Sequence, residues 1–112
     1  MIDYAVVNSI TKEQIGILHC DVEKDLFTMD IAKEVDLWSM SLIMQYKVKK
    51  GSYFMNHEDC RHWVDERIIP AGRHNISQIL HDNNIPEWTR YNMLMLSMGH
   101  STQDEIIIEP IA

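Results

Sequence analysis

Glycine is scarce in this chain: four residues, at positions 16, 51, 72 and 99, lie too far apart to build a phosphate-cradling loop. The common nucleotide-binding signatures are thereby excluded. Basic residues are also few, ten Lys and Arg against seventeen Asp and Glu, and the net charge of -7 gives a surface that repels phosphate backbones. General nucleic-acid binding is not expected. With only two cysteines, Cys20 and Cys60, a disulfide framework is out of reach, and both read as small buried hydrophobes in a reducing compartment. No apolar run approaches the roughly 18 residues of a membrane helix. The start, Met1-Ile2-Asp3-Tyr4, has neither a basic region before an apolar core nor a small-residue cleavage site, so a cytoplasmic location is expected.

What is present suits a single soluble domain spanning 1–112. Hydrophobic residues make up 46% and charged residues 24%, and a chain of this length buries roughly 65% of its unfolded surface. Three short segments, Ile2 to Asn8, Gln14 to Cys20 and Asp25 to Ile31, place β-branched and apolar residues between polar turns and predict an antiparallel meander. Gly16 falls inside the second, where a bulge or a close neighbour is expected. Leu37 to Val48 alternates at Trp38, Met40, Leu42 and Met44, which favours extended structure over a helix.

From residue 56 the period becomes helical. Asn56 with Asp59 three residues on makes a capping-box variant for a helix from about His57 to Glu66, and Pro70 bars its continuation. A second helix is expected from about Asn75 to His81, burying Ile76, Ile79 and Leu80. A third opens at Pro86, gathers Trp88, Tyr91, Leu94, Met95 and Met98, and stops at a left-handed Gly99. Asp104 to Glu109 closes the chain as a strand. The fold class is therefore α+β: a small antiparallel sheet with about three helices and a returning C-terminal strand, its shared core formed by Trp63, Ile79, Leu80, Leu94 and Ile107.

Candidate chemistry is thin. His57, Cys60 and His62 are spaced like metal ligands, but a closed zinc site needs four, and His19 and Cys20 belong to another element. Neither metal nor other cofactor is expected. A cysteine nucleophile lacks a specified base. Glu58, Asp59, Asp65 and Glu66 read as a solvated helix face. Met40, Met44, Met93, Met95 and Met98 can serve a core or an adaptable interface, and core is the simpler reading. The stretch from Trp63 to Arg73 is the most informative: an aromatic anchor, then Arg67 and Arg73 on either side of Pro70. Arginine forks there can grip a carboxylate or phosphate, or tie down the turn itself. Trp63, Arg67, Pro70 and Arg73 are the candidate partner-binding residues.

The order of several short motifs resembles the N-terminal domain of HipA-like kinase toxins, which also occurs as a separate small protein in split toxin–antitoxin systems. The similar pattern covers about 95 residues: Ile15-Gly16-Ile17-Leu18, then Phe27, Ser39-Met40-Ser41-Leu42, Trp63-Val64, Ile69-Pro70 with Arg73, and Gly99 followed by Ser101, Gln103 and Asp104. Ala71-Gly72 replaces the family's acidic residue and glycine after the proline, and His100 to Gln103 separate Gly99 from Asp104. The family's kinase region has no counterpart in these 112 residues, so the resemblance implies a noncatalytic module, an antitoxin or regulatory subunit whose partner is a HipA-like kinase or its repressor complex. A different class of reading makes the negative charge central: an acidic phage or mobile-element protein that blocks a nucleic-acid-processing enzyme by filling its basic groove. Such a mimic needs its carboxylates gathered on one face.

Overall fold

β1 (Ile2–Asn8), β2 (Gln14–Asp21) and β3 (Leu26–Ile31) form the expected meander in a computed structural model that describes residues 1–111. The two-residue β4 (Phe54–Met55) pairs with β3, and β5 (Ile106–Pro110) returns to pair antiparallel with β1. The sheet order is β4-β3-β2-β1-β5. The α+β class stands, with four helices instead of three: α1 (Leu42–Lys49), α2 (His57–Asp65), α3 (Ile76–Asp82) and α4 (Arg90–Ser97).

Gly16 meets both demands anticipated for it. The β1–β2 register slips between Val6 and Val7, and a Cβ on Gly16 would lie 2.6 Å from the Asp30 carbonyl oxygen, closer than any side chain tolerates. One face of the sheet presents Tyr4, Val6, Leu18, Cys20, Phe27, Met29 and Ile108 to the helices, which answer with Met44, Cys60, Trp63, Val64 and Leu94. On α2 the buried residues stand at i, i+3 and i+4, the spacing that puts them on one face. Both halves of its capping box form: the Asp59 N–H donates to the Asn56 side chain, and the Asn56 N–H donates to Asp59. Among the described residues no helix is long and apolar enough to cross a membrane.

Four expectations are corrected. Leu37 to Val48 is not extended but a short 3-10 helix, Leu37–Ser39, followed by α1. The apparent alternation spans two helical pieces joined by the extended Met40 and Ser41, with Met40 and Met44 buried while Trp38 and Leu42 point outward. Asp36 accepts the Trp38 N–H and starts the turn. The helix expected from Pro86 begins only at Arg90, because Thr89 takes the cap position and accepts the Asn92 N–H. α3 lies at the periphery with no buried residue, so Ile76, Ile79 and Leu80 are only half-covered. In β5 it is Ile106 and Ile108 that reach the core, whereas Ile107 faces the opposite side of the sheet and is half-buried. Gly99 does adopt the left-handed conformation, at φ 79°, immediately after a left-handed Met98.

Candidate protein-docking surface

Two of the four candidate contact residues are interior. Trp63 has 0% of its surface exposed and Arg67 4%, so neither stands out as a surface contact in the folded chain. The Arg67 guanidinium lies over the Trp63 ring, 4.2 Å from its centroid. Its Nη1 donates to the Gly99 carbonyl at 2.9 Å and to Asp104 at 2.9 Å, and Nη2 completes a two-point pair with the same carboxylate. Asp104 also accepts the Ile106 N–H. The hub ties the end of α2 to the α4–β5 loop, which is the structural alternative to partner contact for this arginine. Pro70 and Arg73 stay exposed on the turn, where the Arg73 N–H donates to the Pro70 carbonyl.

The surface that sequence reasoning missed is the outer side of the 3-10 helix and α1. Trp38 is 87% exposed, Leu42 82% and Tyr46 56%; Leu42 and Tyr46 share a face of α1 four residues apart, and Trp38, on the 3-10 helix before it, lines the same cavity as Leu42, which makes the three one apolar stripe. An indole so fully in water costs solubility and contributes nothing to the core. The signal was present as Trp38-x-x-x-Leu42-x-x-x-Tyr46, but it is invisible while the segment is taken as a strand. Lys50 sits over the Tyr46 ring at 4.7 Å and marks the end of the stripe.

Beside Trp38 and Leu42 opens a cavity of about 350 Å³, floored by Asn8, Ser41 and Gln45 and bordered by Glu66 and Glu105. Asn8 is committed: its amide donates to the Ser39 carbonyl and its oxygen accepts the Ile10 and Thr11 N–H groups. Ser41 is not. It occupies the cap position of α1 without capping it, and its buried Oγ has no hydrogen-bond partner among the described residues. The Trp63 Nε1 and Arg67 Nε share that condition inside the hub.

The acidic residues divide by type. All nine aspartates bond within the fold: Asp3 and Asp30 to His19, Asp21 and Asp36 to turn N–H groups, Asp25 to the start of α4, Asp59 to Lys47, Asp65 to Arg90, Asp82 to Gln78 and Asp104 to Arg67. No glutamate carboxylate has a partner among the described residues, and Glu66 and Glu105 are both solvent-exposed.

Titratable chemistry is muted. Burial pushes the thiols of Cys20 and Cys60 up to about 12, with the nearby aspartates Asp3, Asp25 and Asp59 adding to it. Both stay as unreactive thiols at neutral pH. Tyr91 is raised by burial and by its hydrogen bond with Tyr4, 2.7 Å between hydroxyl oxygens. His57 contacts the Phe27 carbonyl through Nδ1 at 2.9 Å, while Cys60 packs in the core, so the sequence-adjacent pair does not form a ligand set. Among the described residues no group of three His, Cys, Asp or Glu is placed to hold a metal ion. Of the methionines weighed as a possible interface, Met40, Met44 and Met93 are core, and Met95 and Met98 pack half-buried beside it.

Comparison with protein-family models, with curated proteins and with solved structures gives no match to this chain.

Proposed function

We propose that this chain is a noncatalytic protein-binding module acting in the cytoplasm as the antitoxin or regulatory subunit of a HipA-like kinase toxin system. The observation that carries the protein-binding part is the Trp38–Leu42–Tyr46 stripe: three large apolar side chains held in water, the first by the 3-10 helix and the other two by α1, which buries Met44 in the core. Aromatic residues of this kind are the usual anchors of protein interfaces. The kinase partner rests on the ordered motifs from Ile15 to Asp104 that resemble the toxin's N-terminal domain. The noncatalytic part is supported by the suppressed thiols and by an arginine–aspartate pair consumed in a structural tie.

Co-expression with the product of an adjacent kinase-like gene tests the reading. A stable complex is expected on size exclusion, and the Trp38→Ala, Leu42→Ala double variant should abolish it while melting like the parent. A kinase-like neighbour that never co-elutes with the folded chain, or phosphotransfer by the isolated chain, overturns the proposal. The earlier surface is tested alongside: only Pro70 and Arg73 of its members are accessible, so Arg73→Ala should leave the complex intact.

A further inference from the structure

The cavity beside the exposed tryptophan is too small for a typical cofactor, since its volume of about 350 Å³ lies at the bottom of the ligand-pocket range, yet it is ample for one long side chain. Its chemistry is one-sided. Trp38 supplies an aromatic face, Glu66 and Glu105 supply carboxylates without partners among the described residues, and Ser41 supplies a buried hydroxyl that no group among them satisfies. A further carboxylate of the lining, Asp104, is already neutralised by Arg67 from behind. A carboxylate or phosphate ligand would meet two like charges here; an apolar one would leave both glutamates without a counter-charge.

The fold already holds a completed arrangement of the same chemistry in its interior, where Trp63, Arg67 and Asp104 stack an aromatic ring, a guanidinium and a carboxylate in that order. At the surface Trp38 and the carboxylates of Glu66 and Glu105 line one cavity with no guanidinium between them. The docking stripe and the acidic groove are continuous, because Trp38 and Leu42 belong to both.

We infer that the groove between Trp38 and the Glu66–Glu105 pair receives an arginine side chain from an apolar, basic segment of the partner protein. The guanidinium stacks on the Trp38 ring and donates to the two glutamates, while flanking apolar residues cover Leu42 and Tyr46. Arginine fits better than lysine because its planar fork can stack and donate at once, whereas an ammonium acts as a point charge. This inference rests on the reading of the Trp38 stripe as a protein-docking surface and adds the partner's chemistry to it.

The probe is the blocked tripeptide acetyl-Leu-Arg-Leu-amide, titrated into the ¹⁵N-labelled chain, with the citrulline peptide as a neutral isostere. The Trp38 indole and Ser41 amide resonances should move with the arginine peptide. The citrulline peptide should bind about tenfold more weakly, the loss expected when a charge-assisted hydrogen bond becomes a neutral one. The Glu66→Gln, Glu105→Gln double variant, with an unchanged melting transition, should show the same loss toward the arginine peptide. Equal response to both peptides, or no response to either, overturns the inference. In the co-expressed complex the two claims separate: if Trp38→Ala dissociates the partner and the double glutamine variant does not, the arginine groove is wrong and the docking surface stands.

Discussion

Trp63 and Trp38 show the same side chain serving opposite ends. Trp63 lies on α2 as the second member of a buried i, i+3, i+4 set, and Arg67 closes over it with Asp104 behind. Trp38 is the middle residue of the 3-10 helix that precedes α1, and the residues that anchor this segment are the buried Met40, just after that helix, and Met44 on α1. The difference teaches that an aromatic on the core-facing side of a helix can be covered by an arginine four residues on, whereas an aromatic on a short 3-10 turn with no such follower stays in water. Stability is concentrated at the first site, and the proposed recognition at the second.

That division can be broken most forcefully at the hub. Arg67→Ala removes the positive partner of a largely buried carboxylate, strips the Trp63 ring of its cover and releases the Gly99 carbonyl. Loss of one member of a buried pair costs about 3–5 kcal/mol. Urea unfolding measures it, and the exposed Arg73→Ala serves as the reference, expected to change stability by less than about 0.5 kcal/mol. Should both variants unfold at the same urea concentration, Arg67 is not a structural residue and its place as a partner contact returns.

The two C-terminal helices sharpen the same contrast at a smaller scale. Leu94 of α4 is fully buried against the core, and Leu94→Ala should cost about 2–5 kcal/mol. Leu80 of α3 is half-covered and outside the core cluster, so Leu80→Ala should cost clearly less, about 1 kcal/mol. Equal costs in denaturant melts would show that α3 packs as tightly as α4. Asp25 adds a test of how α4 is held: its carboxylate accepts the Arg90 and Tyr91 N–H groups, each at 2.8 Å, from the β2–β3 turn. Asp25→Ala should cost about 1–2 kcal/mol as a lost cap.

Most of the scaffold was legible from local pattern. The three meander strands, the Asn56–Asp59 capping box, the close approach at Gly16 and the left-handed Gly99 each depend on neighbours within a few positions, where residue type and conformation are directly linked. The errors arose where a distant partner decides. Alternating large residues at 38, 40, 42 and 44 match a strand, while the chain folds as a 3-10 helix and α1 joined by the extended Met40 and Ser41, and packing against the sheet selects Met40 and Met44 for burial. Arg67 beside Pro70 reads as an accessible fork until Asp104, 37 residues away, folds against it. Thr89 outcompetes Pro86 as the start of α4 because Asp25 supplies the remaining donors with acceptors, a contact 65 residues distant. The candidate site was therefore placed on the more conspicuous tryptophan and not on the exposed one.

A smaller effect comes from the far side of the sheet, where His19 bridges Asp3 through Nδ1 and Asp30 through Nε2, both at 2.8 Å. Partial burial opposes the imidazolium, but hydrogen bonds and charge from Asp30 and Asp3 outweigh it and raise the pKa above its ordinary 6.5. A raised folded value means the contribution is complete below pH 6.5 and is lost as pH rises through the folded pKa. Because both carboxylates are solvent-exposed, the contribution should stay below about 1 kcal/mol. Comparing urea midpoints of the parent and His19→Gln at pH 5.5 and 8.5 isolates it. A gap between the two proteins that widens toward pH 8.5 contradicts the sign.

The smallest stability change belongs to the residue with the largest functional one. Trp38→Ala removes an indole that is 87% exposed, so almost no apolar area returns to water on its loss; its backbone N–H to Asp36 remains, and Met40 and Met44 keep their packing. The free energy of unfolding should shift by less than about 0.5 kcal/mol, as for other surface substitutions. Partner capture should nevertheless disappear, because an anchor at the middle of an interface counts only when a second protein desolvates it. Trp63→Ala supplies the opposite pole, about 3–5 kcal/mol of lost stability from an emptied core site. A Trp38→Ala protein destabilised by more than about 1 kcal/mol would mean that the ring packs on its own fold in solution, and the docking surface would lose its anchor.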